Sequence, residues 1–178
     1  MADSTRVGQS TLRLVKGDIT DLEIEAFVYY AAENLALGSG YGTAISMRGG
    51  PGVQEELKQH GRKKVTEVVI TDAGDMKANY IIHAVGPKFQ EENLPAKLRR
   101  TIINALKAAE AKGVTAVAFP PMGAGFYGVP LPQSADITLT TIADYLKGDT
   151  KISDVAVVLL DNREYQPFES KLAGMGGK

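Results

Sequence analysis

Phe119-Pro-Pro-Met-Gly-Ala-Gly-Phe-Tyr-Gly-Val-Pro130 closes an apolar run that begins at Val114, and it sets Phe126 and Tyr127 among Gly123, Gly125 and Gly128. Glycine has no Cβ, so it tolerates positive φ and lets the backbone come close to a neighbour. Amides turned toward one point in this way bind phosphate. Aromatic rings beside them offer a flat face to a sugar or base. A second glycine loop, Gly38-Ser39-Gly40-Tyr41-Gly42, lies upstream. Two such loops can close on one pyrophosphate from both sides, so the segment reads as a backbone-held nucleotide diphosphate site.

Outward from that stretch, short apolar runs alternate with helical patterns, which predicts an α/β fold. Thr11 to Lys16 alternates like a half-buried strand. Ala26–Tyr30, Val68–Thr71, Tyr80–Val85, Val114–Phe119 and Val155–Leu160 are fuller runs, as in strands covered on both faces. Leu98, Ile102, Ala105, Leu106 and Ala109 fall at helical spacing, as do Ala135, Leu139, Ile142 and Leu146 after Pro130 and Pro132. Pro51 opens a helix through Leu57, and a last one begins near Asn162, where Asp161 and Glu164 stand in capping-box spacing. The chain reads as one domain over residues 11–172, with frayed ends at 1–10 and 173–178. In open α/β sheets ligands sit beyond the carboxyl ends of strands. Gly17-Asp18-Ile19, Gly38 to Gly42, Gly123 to Gly128 and Asp161-Asn162 all follow strands in this way.

Bulk properties narrow the chemistry. The 178 residues carry 20 basic and 21 acidic side chains, well mixed, for a net charge of −1. A phosphate-backbone binder needs a clustered positive face, which is missing. Zero cysteine excludes disulfides, thiolate metal sites and thiol nucleophiles, and suits a reducing compartment. Only His60 accompanies His83, so a zinc site has no ligand set. No apolar run approaches ~18 residues, and Met1 to Arg6 lacks the apolar centre of a secretory signal. The expectation is a cytoplasmic protein with no membrane partner, no metal and no cofactor.

Other readings of the same residues fail on context. Gly123 to Gly128 satisfies Gly-x-Gly-x-x-Gly, but Val129-Pro-Leu-Pro132 separates it from the next helix, and a dinucleotide turn opens the fold. No Gly-Lys-Ser/Thr follows either loop, which excludes a P-loop. His83, inside an apolar run, reads as a histidine fixed beside the sheet by a hydrogen bond rather than a general base. Asp161 and Glu164 read as a helix cap rather than a catalytic carboxylate pair. Tyr29, Tyr30 and Tyr41 cluster round a polar loop, either as core rings or as pocket lining.

Four markers in order resemble a macrodomain: Gly17-Asp18-Ile19-Thr20; the glycine loop ending Gly42-Thr43-Ala44-Ile45; Ile81-Ile82-His83-Ala84-Val85-Gly86-Pro87; and Ala118-Phe119-Pro120 leading into Gly123 to Gly128. The resemblance spans Thr11 to Leu172. It implies a three-layer α/β/α sandwich round a mixed six- or seven-stranded sheet, and a pocket for ADP-ribose. By that resemblance the free carboxylate of Asp18 takes the adenine amino group and the Ile19 amide a ring nitrogen. Gly123, Ala124, Gly125, Phe126 and Tyr127 wrap the pyrophosphate, with Tyr127 or Phe126 against the distal ribose. Gly38, Ser39 and Gly40 line the other side. Leu160 stands where many members place an aromatic over adenine, and Asp161 and Asn162 lie near the proximal ribose or adenine.

The catalytic part of the pattern departs. Many macrodomain hydrolases read Val-Asn-Ala-Ala-Asn before the first glycine loop and place an Asp after it; here Tyr29 and Ala32 replace the two asparagines, and Gly42 the aspartate. The leading expectation is therefore binding of ADP-ribose, free or terminal on an ADP-ribosylated macromolecule. The alternative is a hydrolase of ADP-ribosyl esters, O-acetyl-ADP-ribose or ADP-ribose 1″-phosphate that uses a non-standard loop, with Glu33, Asn34, Ser39 and Tyr41 as candidates. A third class is a nucleotide-sensing or RNA-binding surface that uses the pocket for another adenine-containing ligand; RNA lacks its basic patch, and nucleic acid enters only as an ADP-ribosylated substrate.

Overall fold

A computed structural model of the chain describes residues 3–38 and 40–176. Seven strands form one mixed sheet: β1 (Ser4–Val7), β2 (Ser10–Lys16), β3 (Ala26–Ala31), β4 (Val68–Asp72), β5 (Tyr80–Val85), β6 (Ala116–Phe119) and β7 (Asp154–Leu159). Five helices cover it: α1 (Tyr41–Gly49), α2 (Pro51–Lys58), α3 (Leu94–Ala111), α4 (Leu131–Leu146) and α5 (Asn162–Gly176). The spatial order is β1-β2-β7-β6-β3-β5-β4. The inner pairs are parallel, and the outer strands β1 and β4 run antiparallel to their neighbours.

Side-chain alternation makes the three layers. On β3, Val28 and Tyr30 face a core shared with α3, α4 and α5, while Phe27 and Ala31 face one shared with α1 and α2. The stripe Leu98, Ile102, Ala105, Leu106 and Ala109 of α3 is fully buried, and Ala135, Leu139, Ile142 and Leu146 of α4 almost so. Ile45, Val53 and Leu57 bury the other face. Each such side chain removed from water contributes about 1.5–3 kcal/mol before conformational entropy is counted.

Two expectations need correction. Within the ends expected to fray, Ser4–Val7 pairs with Ser10–Arg13, the Ser10 hydroxyl donates to the Ile152 carbonyl at 2.6 Å, and α5 continues past Leu172; residues 1, 2, 177 and 178 lie outside the described residues. Tyr41 and Gly42, read as the end of a glycine loop, already belong to the helix Tyr41–Gly49. Among the described residues no helix is long and apolar enough to cross a membrane.

One register detail positions the site. β3 pairs with β5 along its whole length, but with β6 only at Ala26 and Phe27. Past Phe27 the two strands part at their carboxyl ends. From there the chain goes to α1 on one face and to α4 on the other. Neighbouring parallel strands whose continuations leave to opposite faces open a crevice.

Candidate functional site

A cleft of about 400 Å³ fills that crevice, within the usual range for small-molecule sites. Its floor is Phe27 and Val28 of β3 with Pro120 and Pro121 after β6; Tyr29, Tyr30 and Tyr41 add aromatic walls.

Two sets of amides without a hydrogen-bond partner among the described residues border it. Helix α1 starts at Gly40, whose backbone (φ 56°, ψ −130°) suits only glycine, and no side chain caps it. The N–H groups of Tyr41 and Gly42 in its first turn therefore have no intrahelical acceptor. Across the cleft, Gly125–Tyr127 forms a 3₁₀ turn, likewise without a side-chain cap. Ala124 donates to Pro121, Gly128 to Gly125 and Val129 to Gly123, which folds the loop and leaves the Gly125 and Phe126 amides at its open end. Helix N-termini concentrate positive dipole and favour anions. Gly123 (φ 81°) is fixed by packing: a Cβ there would lie 2.7 Å from the Val129 Cγ2.

An aromatic ladder supports the loop. The Tyr30 hydroxyl donates to the Pro87 carbonyl at 2.5 Å, and Gly86 leaves room for its ring. Tyr30 meets Tyr127 edge-on at 4.8 Å, and Tyr127 meets Phe126 at 5.4 Å. Phe126 itself is 88% exposed. Burial pushes the Tyr29 and Tyr41 hydroxyls up to about 12, with Tyr127 adding to the first and Glu164, Asp18 and Asp161 to the second. Both remain neutral hydrogen-bonding groups.

Ile19, Gly38, Gly40, Ala124, Gly125, Phe126 and Tyr127 line the cleft. Ser39 lies outside the described residues. Asp18 is not a free carboxylate: its Oδ1 accepts from the Thr20 amide at 2.9 Å and the Thr20 hydroxyl at 2.6 Å, capping the turn Ile19–Asp21. Its Oδ2 lies 3.5 Å from Arg48, which also reaches Asp21. Asp161 and Glu164 form the helix cap: Asp161 accepts from the Glu164 amide at 3.0 Å, and Glu164 from the Leu160 amide at 2.8 Å. Asn162 accepts from Lys16. Leu160 is half exposed and, like Asp161 and Asn162, is not part of the lining.

The remaining candidates split. Tyr41 lines the cleft, whereas Glu33 turns away to pair with Arg62 at 2.9 Å. The Asn34 Oδ1 accepts from the Ala36 amide at 3.0 Å, an Asx turn that sets the loop. Sequence reasoning missed Ala36, Pro121 and Glu164 as lining, and missed the contact that links Tyr29 to Gly42: a Cβ at Gly42 would lie 2.5 Å from the Tyr29 hydroxyl. His83 is fully buried, with Nε2 3.0 Å from the Thr71 hydroxyl and Nδ1 without a partner. It is fixed beside the sheet, as its setting in the sequence suggested.

A family model described as Macro domain matches residues 29–138. A macro domain-containing protein of Caldanaerobacter subterraneus subsp. tengcongensis is 39% identical over 166 residues, which cover 88% of this chain and 93% of that one. One from Listeria monocytogenes is 38% identical over 165 residues, covering 88% and 94%. Among solved structures, a mutant Oceanobacillus iheyensis macrodomain with ADPR matches with a TM-score of 0.93 at 28% identity, over 98% of each chain. The Trypanosoma brucei macrodomain in complex with ADP-ribose matches with a TM-score of 0.84 at 26% identity, over 89% of this chain and 68% of that one.

Proposed function

Since the chain belongs to the macrodomain family, we propose that it binds ADP-ribose, free or at the end of an ADP-ribosylated macromolecule, in the cleft between β3 and β6. The observation that carries this reading is the pair of uncapped amide clusters, at the start of α1 and of the turn Gly125–Tyr127, on one cleft of nucleotide size. A pyrophosphate satisfies both at once, and a single phosphate satisfies one. Structural neighbours with ADPR and ADP-ribose support the same ligand. Adenine then lies toward Ile19 and Asp18, and the distal ribose toward Tyr127.

Recognition rather than turnover is the function we assign. Hydrolysis needs a water aligned on the anomeric carbon and a group to activate it. Glu164 is the one carboxylate among the described lining residues, and it is committed to the cap of α5. Glu33 is paired with Arg62, and Tyr29 lies over Gly42, where the family's hydrolases place the aspartate. Calorimetric titration with ADP-ribose, ADP and NAD at moderate salt tests the reading. Micromolar binding selective for ADP-ribose is the expected result, without release of ribose products on long incubation; absence of heat with ADP-ribose defeats it.

A further inference from the structure

Glu164 is the only charged side chain among the described residues that line the cleft. Topology puts it at the end near Ile19. β2 pairs with β7 as far as Lys16 opposite Leu159, and the Gly17 amide donates to the Leu159 carbonyl at 2.9 Å. The segments Gly17-Asp18-Ile19 and Leu160-Asp161 therefore leave the sheet side by side, and α5 starts just beyond them. The Glu164 Oε1 accepts from the Leu160 amide at 2.8 Å, which fixes the direction of the carboxylate. Its Oε2 accepts no hydrogen bond among the described residues and has only the Arg163 guanidinium at 3.8 Å, itself 71% exposed and screened by solvent. The other cations at this end are engaged, Arg48 with Asp18 and Asp21, and Lys16 with Asn162 and the Tyr165 ring.

We infer that Glu164 is a specificity-determining residue, whose free carboxylate oxygen accepts from a hydroxyl of the adenosine ribose and rejects nucleotides phosphorylated on that sugar. The inference rests on the ADP-ribose reading of the cleft. That sugar joins adenine, toward Ile19 and Asp18, to the pyrophosphate at the start of α1, so it spans the stretch that Tyr41 and Glu164 line. An ionised carboxylate accepts hydrogen bonds and donates none, which suits a hydroxyl pair. A phosphate in the same place carries nearly two negative charges at neutral pH and meets a like charge, with no cation among the described lining residues to offset it. Dinucleotide folds that take the unphosphorylated ribose use the same device, an acidic side chain on a ribose hydroxyl.

The test is calorimetric titration of the whole chain with ADP-ribose and with its 2′- and 3′-phosphates on the adenosine ribose. At least one phosphorylated form should bind about tenfold or more weakly than ADP-ribose, and the ratio should shrink as salt rises. The form rejected names the hydroxyl that Glu164 holds, and the deoxy analogue at that position should bind less tightly too. Glu164→Gln keeps the shape and an acceptor for the Leu160 amide while it removes the charge. It should bring the ratio toward one with the thermal transition retained, whereas Glu55→Gln, on the exposed face of α2, should leave the ratio intact. Equal binding of ADP-ribose and both phosphates overturns the inference and leaves the ADP-ribose reading standing. A ratio that survives Glu164→Gln assigns the rejection to shape and overturns it as well. No heat with ADP-ribose itself removes the first reading, and the role of Glu164 falls with it.

Discussion

Asp18 holds the turn Ile19–Asp21 with one carboxylate oxygen and meets Arg48 with the other, so its position is set before any ligand arrives. Asp18→Ala should weaken ADP-ribose binding by about 1.5–3 kcal/mol, the scale of hydrogen bonds to charged groups. Unchanged affinity by titration removes Asp18 from the adenine end. Gly125 sits at φ 76° with open space where a Cβ would project. Gly125→Val therefore strains the loop and fills the cleft while the core is untouched, and binding should be lost with the thermal transition retained. That Gly125 takes a left-handed backbone and that Asp18 can cap a turn were legible, because both are local. Arg48 was not, since nothing in the sequence places α1 beside the loop after β2. The Tyr29–Gly42 contact was hidden for the same reason, although both residues had been noted as departures.

Helices α3 and α4 were readable because their buried stripes repeat at the helical period, and α5 from the spacing of Asp161 and Glu164 at its cap. Helix α1 was not. It begins Gly40-Tyr-Gly-Thr, with neither a capping side chain nor a strong apolar stripe, and so resembles a loop until packing against the sheet settles it. The missing cap is also what leaves its amides to the cleft. β1 escaped notice because Ser4-Thr-Arg-Val is polar, and pairing with β2 rather than burial makes it a strand. At the junction of β3 and α1, Gly42→Ala drives a methyl group against the Tyr29 hydroxyl and the Leu37 backbone. Overpacking of this kind costs about 1–3 kcal/mol. Chemical denaturation should show that loss in Gly42→Ala and a partial recovery when Tyr29→Phe is added; full stability in the single variant refutes the contact.

For the whole molecule, burial holds His83 down to about 3, with His60 adding to the effect. An unfolded histidine, near 6.5, takes a proton that the folded one refuses. The unfolded state thus binds more protons between these values, and stability rises with pH there. As pH falls below about 6.5 it should decline by up to ~1.4 kcal/mol per unit, and His83→Gln should flatten that slope. Glu25, lowered chiefly by the Thr115 amide against the cost of burial, adds to the loss below its ordinary value of 4.5. A slope unaltered by His83→Gln assigns the proton elsewhere. With a net charge of −1, ADP-ribose affinity should change only gently with salt, whereas an RNA-binding surface would lose affinity steeply. The sheet order has a further consequence. β2 pairs with β7, Leu14 opposite Val157, and Glu164 just beyond β7 completes the wall of the cleft. A nascent chain on the ribosome thus carries both glycine loops long before it has a pocket. Ligand present during synthesis cannot guide the early steps and stabilises only the finished chain.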